Sequence, residues 1–211
     1  MKRILYLHGF ASGPASKKAR YFRDRFAERG IEIEIPDLAE GDFDHLTITG
    51  QLKVIERAVR DEPVWLIGSS LGGYLAALYA SQHQEAERLV LMAPAFNFVA
   101  GWREWVGAEA MTRWKETGTM AVEHYGDGRM HQLHYGLIED GSEYEAYPSF
   151  HQPAILFHGR NDDVVAPASS ITLAQRCSNI ELHLLNSGHE LLDVLDEMWQ
   201  KTERFLGLTG T

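Results

Sequence analysis

The sequence has a single cysteine and a shortage of basic residues, and each scarcity narrows what the protein can be. Cys177 stands alone among 211 residues, so no intrachain disulfide can form, which fits a reducing compartment. Only 20 lysines and arginines stand against 30 aspartates and glutamates, which gives a formal net charge of -10. A field of that sign repels polyanions, so we expect neither nucleic acid nor an anionic membrane surface as a partner.

Long apolar runs, internal repeats and low-complexity tracts are missing as well. The N-terminal apolar run Ile4–Leu7 is far shorter than the core of a signal peptide or a membrane span, so we expect a cytoplasmic protein without membrane insertion. Hydrophobic residues make up 45% of the chain and charged residues 24%, which is ordinary for a globular protein. At this length we expect one domain that spans residues 1–211.

The most informative stretch is Pro63–Ala80, whose pattern predicts a strand, a sharp turn and a helix. Val64–Ile67 is an unbroken apolar run of the length expected for a parallel strand that is covered on both faces. From Leu71 onward, apolar residues recur at helical spacing and alanines fill the turns between them. The turn therefore connects the predicted strand directly to the predicted helix.

That turn, Gly68–Gly72, matches the pattern G-x-S-x-G, which is the nucleophile elbow of α/β-hydrolases. Ser70 occupies the serine position, and any larger residue in place of the two flanking glycines would keep the turn from closing. The preceding Ser69 does not fit this frame and is interpreted as a turn residue. A nucleotide site is not indicated, because the glycines match neither phosphate-binding pattern.

Two backbone N–H groups are predicted to bind an oxyanion. One belongs to Leu71, at the N-terminus of the helix after Ser70, where the helix dipole favours negative charge. The second is expected from the loop after the first strand, where the residue that follows His8 and Gly9 is Phe10. We interpret the ring of His8 as a group that holds this loop in place rather than as a catalytic group.

The rest of the chain alternates between strand and helix patterns. Beyond Ile4–Leu7 and Val64–Ile67, strands are predicted at Ile31–Ile35, Arg88–Met92, Ala154–Phe157 and Ile180–Leu185. The alternation predicts an α/β fold with a mostly parallel sheet of about six strands flanked by helices. Ligands of such sheets bind beyond the carboxyl ends of the strands.

A segment of about residues 95–150, which we call the cap, departs from this alternation and is rich in aromatic residues. We expect a helix around Trp102–Trp114, a hairpin around Gly126–Gly128, and a lid over Ser70. His131 and His134 raise the alternative of a metal site, but on a strand their rings would point to opposite faces. We therefore predict no metal site and no cofactor.

The chain order Ser70, Asp162, His189 is the order of nucleophile, acid and base in α/β-hydrolases. A serine hydroxyl is a poor nucleophile at neutral pH, so it needs a histidine base that a carboxylate orients. Asp163 is the alternative acid, and Asp162 is preferred because it completes the Gly-x-x-Asp turn that begins at Gly159. Other histidines are weaker candidates, since they lie inside a turn or in the middle of a strand.

These segments together resemble the α/β-hydrolase superfamily, through Tyr6–Phe10, the helix start after Pro14, Gly68–Gly73, His158–Val165 and Gly188–His189. Within that superfamily, the first part of the chain is similar to the small bacterial YqiA/YcfP-type esterases. The part from the elbow to the Asp162 turn looks more like the mitochondrial acyl-protein thioesterase and acyl-glucuronide esterase branch. The resemblance implies hydrolysis of carboxylic esters or thioesters through an acyl-enzyme, without metal or cofactor.

The sequence therefore predicts a serine hydrolase for esters or thioesters of small to medium acyl groups. A peptidase or an acyltransferase with the same three residues is an alternative within this enzyme class. A protein that keeps the fold only to bind a ligand or a partner is the alternative from another class. A degenerate set of catalytic residues would mark that last alternative, and the set is intact here.

Overall fold

The computed structural model describes residues 2–208, and it has two sheets and a series of helices. In chain order the strands are β1 (Arg3–Leu7), β2 (Val64–Ser69), β3 (Ala86–Met92), β4 (Thr119–His124), β5 (Arg129–His134), β6 (Ala154–Gly159) and β7 (Ile180–Leu185). The helices are α1 (Lys17–Ala27), α2 (Ile48–Val59), α3 (Leu71–Gln82), α4 (Phe98–Val106), α5 (Ala108–Thr117), α6 (Gly136–Gly141), α7 (Pro167–Arg176) and α8 (Leu195–Leu206), and a 3₁₀ turn covers Leu192–Val194.

The main sheet has five strands in the order β1-β2-β3-β6-β7, and each neighbouring pair is parallel. The carboxyl ends of parallel strands lie at one edge of a sheet. The loops that follow β1, β2, β6 and β7 therefore meet at that edge. Strands β4 and β5 form a separate antiparallel hairpin within the cap.

Both faces of the main sheet are buried, which explains the continuous apolar runs of its strands. Because side chains alternate along a strand, Ile4 and Tyr6 of β1 point to one face and Leu5 and Leu7 to the other. Helices α1 and α8 cover the first face with large apolar side chains such as those of Phe22 and Trp199. Helices α2 and α3, together with the cap, cover the second face.

The predicted strand Ile31–Ile35 is wrong, because the structure has only a single bridge there, between Glu34 and Leu5 of β1. The N–H of Glu34 donates to Ile4, and the carbonyl of Glu34 accepts from Tyr6. The next bond of a parallel ladder would come from the N–H of Pro36, which proline lacks. The ladder therefore cannot continue beyond Glu34, and the main sheet has five strands rather than about six.

The cap contains the predicted hairpin, β4 and β5, but the single helix expected around Trp102–Trp114 is divided into α4 and α5. The break falls at Gly107, whose φ of 82° lies in the left-handed region that favours glycine. One end of the cap is tied to the elbow, since the N–H of Ala95 donates to the carbonyl of Ser70.

Among residues 2–208, no helix combines the length and hydrophobicity that a membrane span requires.

Candidate active site

Ser70 lies in the turn between β2 and α3 with a backbone conformation that only strong local constraints maintain. Its φ of 53° and ψ of -118° fall outside the regions that residues with a side chain normally adopt. Such a conformation costs about 1–3 kcal/mol and persists only where the surroundings enforce it. Here the N–H of Ser70 donates to Met92 of β3, and its carbonyl accepts from Gly73, Tyr74 and Ala95.

The two glycines that flank Ser70 leave room for the turn, as the sequence predicted. A Cβ atom on Gly68 would overlap the backbone of Gly72 and Gly73 at the start of α3. A Cβ atom on Gly72 would overlap the carbonyl groups of Leu7 and His8 at the end of β1. The strand and the helix therefore approach each other more closely than any residue with a Cβ atom would allow at positions 68 and 72.

Ser70, His189 and Asp162 lie in hydrogen-bonding contact although they are far apart in the sequence. The Nε2 atom of His189 is 3.1 Å from the Oγ atom of Ser70, and its Nδ1 atom is 2.8 Å from Oδ2 of Asp162. An Nδ1–H group that donates to the carboxylate leaves Nε2 free to accept the serine proton. The arrangement matches the geometry of a serine nucleophile, a histidine base and an orienting carboxylate.

Asp162 is held as a carboxylate by its surroundings. Its side chain is 0% exposed, and its Oδ1 atom accepts hydrogen bonds from the N–H groups of Val164 and Val165. Burial alone raises the pKa of Asp162, but the interactions with His158, His189 and the Val165 N–H outweigh burial. The pKa of Asp162 therefore lies well below its usual range, and the group is ionised at neutral pH.

His158 is a residue whose position the sequence reasoning missed. It is fully buried, its Nδ1 atom lies 2.7 Å from the hydroxyl of Ser170, and its Nε2 atom lies 2.9 Å from the carbonyl of Val165. The same Nε2 atom is 3.1 Å from Oδ2 of Asp162, on which His189 also donates. His158, near the end of β6, thus contacts the same carboxylate oxygen as His189, and only the three-dimensional packing reveals this contact.

The loop that carries His189 is locked against the Asp162 turn. The N–H of Asn161 donates to the carbonyl of Ser187 over 3.0 Å, and the N–H of Arg160 donates to Leu185. A Cβ atom on Gly159 would overlap the backbone of Ser187 and Gly188, so the two loops need a glycine where they meet. This contact fixes the separation between Asp162 and His189.

The two amides predicted to bind an oxyanion lie beside Ser70. Leu71 is the first residue of α3, and a Cβ atom built on Gly9, which precedes Phe10, would lie 3.3 Å from the Cβ atom of Ser70. Within residues 2–208, neither the N–H of Phe10 nor that of Leu71 donates to a protein acceptor. Both N–H groups are therefore available for a negatively charged oxygen.

Other sequence candidates lie away from this constellation. Asp163 is exposed next to Asp162, and Ser69 is buried as the last residue of β2. The ring of His8 accepts from the N–H of Leu38 over 3.1 Å and so fastens the loop to its neighbour, as expected. Burial lowers the pKa of His8, which keeps its imidazole neutral and able to accept that bond.

The histidines of β5 do not form a pair. His131 lies 2.9 Å from Asp44, whereas His134 packs its ring on His45 with centroids 4.2 Å apart. Residues three apart on a strand point to opposite faces, as the sequence argument held.

Comparisons with known proteins agree with this fold. A model of a family described as "Uncharacterised protein family (UPF0227)" matches residues 3–205. Human monoacylglycerol lipase ABHD6 is 23% identical over 239 residues, which cover 90% of this chain and 70% of that protein. Mouse alpha/beta hydrolase domain-containing protein 10 superimposes with a TM-score of 0.81 at 18% identity, covering 99% of this chain and 90% of the other. Est1E from Butyrivibrio proteoclasticus, solved with ferulic acid bound, gives a TM-score of 0.78 at 16% identity, with 98% and 90% covered.

Proposed function

The chain belongs to the uncharacterised protein family UPF0227, and on the premise of that family and the α/β-hydrolase fold we propose that it is a serine hydrolase for carboxylic esters or thioesters of small to medium acyl groups. One observation carries the proposal: Asp162, His189 and Ser70 form a continuous chain of contacts of 2.8 and 3.1 Å. This series of contacts ends at the hydroxyl of Ser70, which lies on a strained turn at the carboxyl edge of the sheet.

In the acylation half-reaction, Nε2 of His189 takes the proton of Ser70 as its Oγ atom attacks the substrate carbonyl. The imidazolium that forms is stabilised by the carboxylate of Asp162, which accepts the Nδ1–H throughout. The carbonyl oxygen becomes an oxyanion and is bound by the N–H groups of Phe10 and Leu71. Removal of one such donor typically costs about 10²–10³ in kcat.

Collapse of this intermediate breaks the bond to the leaving group, which departs as an alcohol or thiol with the proton from His189. The acyl group then remains as an ester on the Oγ atom of Ser70. Water enters, His189 removes its proton, and attack on the acyl ester releases the carboxylic acid and restores the serine. No step needs a group beyond the residues named and water.

Two observations bear on the substrate class. The names of the human relative and of the Est1E complex connect proteins of this fold with monoacylglycerol and ferulic acid. The formal net charge of -10 disfavours polyanionic substrates. We therefore propose uncharged esters and thioesters as the first substrates to examine, with monoacylglycerols among them.

The test is labelling with a fluorophosphonate together with a panel of acetyl, butyryl and octanoyl esters and the matching thioesters. We expect stoichiometric labelling of Ser70, and Ser70→Ala should abolish labelling and lower kcat on the order of 10⁴-fold or more. Ser69→Ala is the matched control and should keep both.

The outcomes separate the alternatives. Labelling without turnover of any ester or thioester would direct attention to peptide substrates or to acyl transfer. An unlabelled Ser70 in the folded protein, with no hydrolysis, would refute the proposed enzyme and favour a ligand-binding role. Loss of labelling in Ser69→Ala but not in Ser70→Ala would move the nucleophile by one residue.

A further inference from the structure

The tip of the β4–β5 hairpin gathers two histidines and an aspartate whose ligand atoms all lie within 4.8 Å of one another: His124, Asp127 and His131. His124 ends β4, Asp127 lies in the connecting turn, and His131 belongs to β5. In the hairpin register His131 pairs with Val122, so His124 and His131 are diagonal neighbours that face the same side. Sequence spacing alone suggests the pair His131 and His134, whereas the diagonal neighbour of His131 across the hairpin is His124.

Nδ1 of His124 is a buried nitrogen without a hydrogen bond. It lies 3.2 Å from Oδ1 of Asp127 yet forms no hydrogen bond to that atom or to any other group within residues 2–208. Gly126 packs so closely on the ring that a Cβ atom there would come within 2.8 Å of it, so the imidazole is held in place. A buried polar nitrogen without a partner is costly, and a bound ligand would remove the cost.

His131 has the orientation that metal-bound histidines have. Its Nε2 atom lies 3.0 Å from Oδ2 of Asp127, inside the cluster, and its Nδ1 atom lies 2.9 Å from Oδ1 of Asp44, outside the cluster. A metal-binding histidine usually donates its other ring N–H to a carboxylate in this way. Asp44 is itself fixed, because its Oδ1 atom also accepts from the N–H of Gln132.

We propose that His124, Asp127 and His131 bind a divalent transition-metal cation such as Zn²⁺ at the hairpin tip, with Asp44 orienting His131. The ligand atoms are Nδ1 of His124, a carboxylate oxygen of Asp127 and Nε2 of His131. Two imidazoles and a carboxylate without a thiolate are a donor set that Zn²⁺ accepts readily, and water would complete four-coordination. The two carboxylates balance the charge of the cation.

The separations between the imidazoles and the carboxylate of Asp127 are close to those that a cation requires. Tetrahedral Zn²⁺ with bonds of 2.0–2.1 Å holds its ligand atoms about 3.3 Å apart. The nitrogen of each imidazole lies about this far from one oxygen of Asp127, 3.0 Å from Oδ2 for His131 and 3.2 Å from Oδ1 for His124, and all three ligand atoms lie within 4.8 Å of one another. A shared cation requires a rotation of the carboxylate and small shifts of the rings. Oδ1 of Asp127 also accepts from the N–H of Arg129, which keeps the carboxylate in the turn.

The site would join the cap to the loop beside Ser70. The N–H of Tyr125, next to His124, donates to the carbonyl of Ala11 over 2.8 Å. The ring of Phe43 contacts the rings of His124 and Phe10, with centroid distances of 4.7 and 5.2 Å. A cation that holds the tip together therefore also stabilises the segment that packs on the Phe10 loop.

The experiment uses the full chain without an affinity tag, stripped with EDTA and dialysed against Zn²⁺, with bound metal counted by mass spectrometry and Tm recorded with and without Zn²⁺. We expect one Zn²⁺ per chain and, at a hundredfold excess over Kd, a Tm increase of roughly 5–10 °C. His131→Gln and Asp127→Asn should each weaken binding at least tenfold, and Asp44→Asn by about tenfold.

His134→Gln is the matched control, because it changes a histidine on the opposite face of the same strand and should bind Zn²⁺ as the wild type does. Circular dichroism of the metal-free variants checks folding, and His124→Gln replaces any ligand variant that fails this check. Absence of bound Zn²⁺ in the wild type, unchanged binding in folded ligand variants, or loss of binding in His134→Gln would each overturn the proposal. Because the readouts are metal content and Tm, they are independent of esterase activity.

Discussion

At the scale of single residues, the surroundings of two adjacent aspartates differ more than their chemistry does. Asp162 is buried and accepts from His189, Val164 and Val165, whereas Asp163 is exposed to solvent. The carboxylate that orients the base must be the one that contacts it. The choice between them rests on the direction of one side chain in the turn that follows β6.

We expect Asp162→Asn to lower kcat roughly 10³- to 10⁴-fold, because the amide cannot hold the Nδ1–H tautomer of His189 in place. Asp163→Asn should change kcat by less than about tenfold. Steady-state kinetics on one ester, with Tm as the folding control, measures both variants. A larger loss in the Asp163 variant would mean that the acid has been chosen wrongly.

The neutral ring of His8 leads to a prediction about the pH dependence of stability. Its pKa is lowered in the folded state by burial, so the stability that it contributes is present above its unfolded pKa of about 6.5 and lost as pH falls. We expect the Tm of the wild type to fall between pH 7.5 and 5.5, and the fall to be smaller in His8→Gln. His151→Gln changes an exposed histidine and is the control. Equal pH dependence in all three proteins would contradict the prediction.

At the scale of elements, the elbow depends on the close approach of β2 and α3. We expect Gly68→Ala to cost at least about 1–3 kcal/mol, because the added methyl group meets backbone atoms of Gly72 and Gly73 that cannot move away. Such a loss lowers Tm by several degrees in a chain of this size. Gly101→Ala in α4 is the control, since a Cβ there meets nothing within 4 Å and alanine favours the helix. A Gly68→Ala protein with wild-type Tm would show that the turn can relax.

At the scale of the whole molecule, the tryptophans of the cap divide into packing and surface residues. Trp114 is 1% exposed and donates from Nε1 to the carbonyl of Leu133, so it holds α5 on the hairpin. Trp102 packs edge-on against Phe10 and also against Trp105, whose side chain is 63% exposed. The cap thus contacts the proposed oxyanion loop through Trp102 and presents Trp105 to solvent beside it.

We expect Trp105→Ala to lower the octanoyl-to-acetyl ratio of kcat/KM by about fourfold or more, since each buried methylene is worth about 0.8 kcal/mol. The acetyl ester should be hydrolysed at nearly the wild-type rate. Met130→Ala, which changes a similarly exposed apolar residue on β5, is the control. An unchanged ratio in a folded Trp105 variant would remove Trp105 from the acyl site and weaken the lid hypothesis.

The sequence alone was enough to predict the α/β-hydrolase fold, the elbow around Ser70 and the loops that carry Asp162 and His189. These features depend on local patterns, because a backbone turn or a buried strand requires particular residue types within a short stretch of sequence. Their meeting at one edge follows from the parallel order of the strands. The catalytic roles of these residues stay predictions.

Only the tertiary structure decided the contacts between residues that no pattern connects. The contact of His158 with Asp162 and the meeting of His124, Asp127 and His131 both depend on distances across the fold. Hydrophobic burial and backbone hydrogen bonding constrain where an element lies, and they leave the neighbours of a polar side chain open. Those neighbours are set by the packing of loops and by the register of the hairpin, which exist only once the chain is folded.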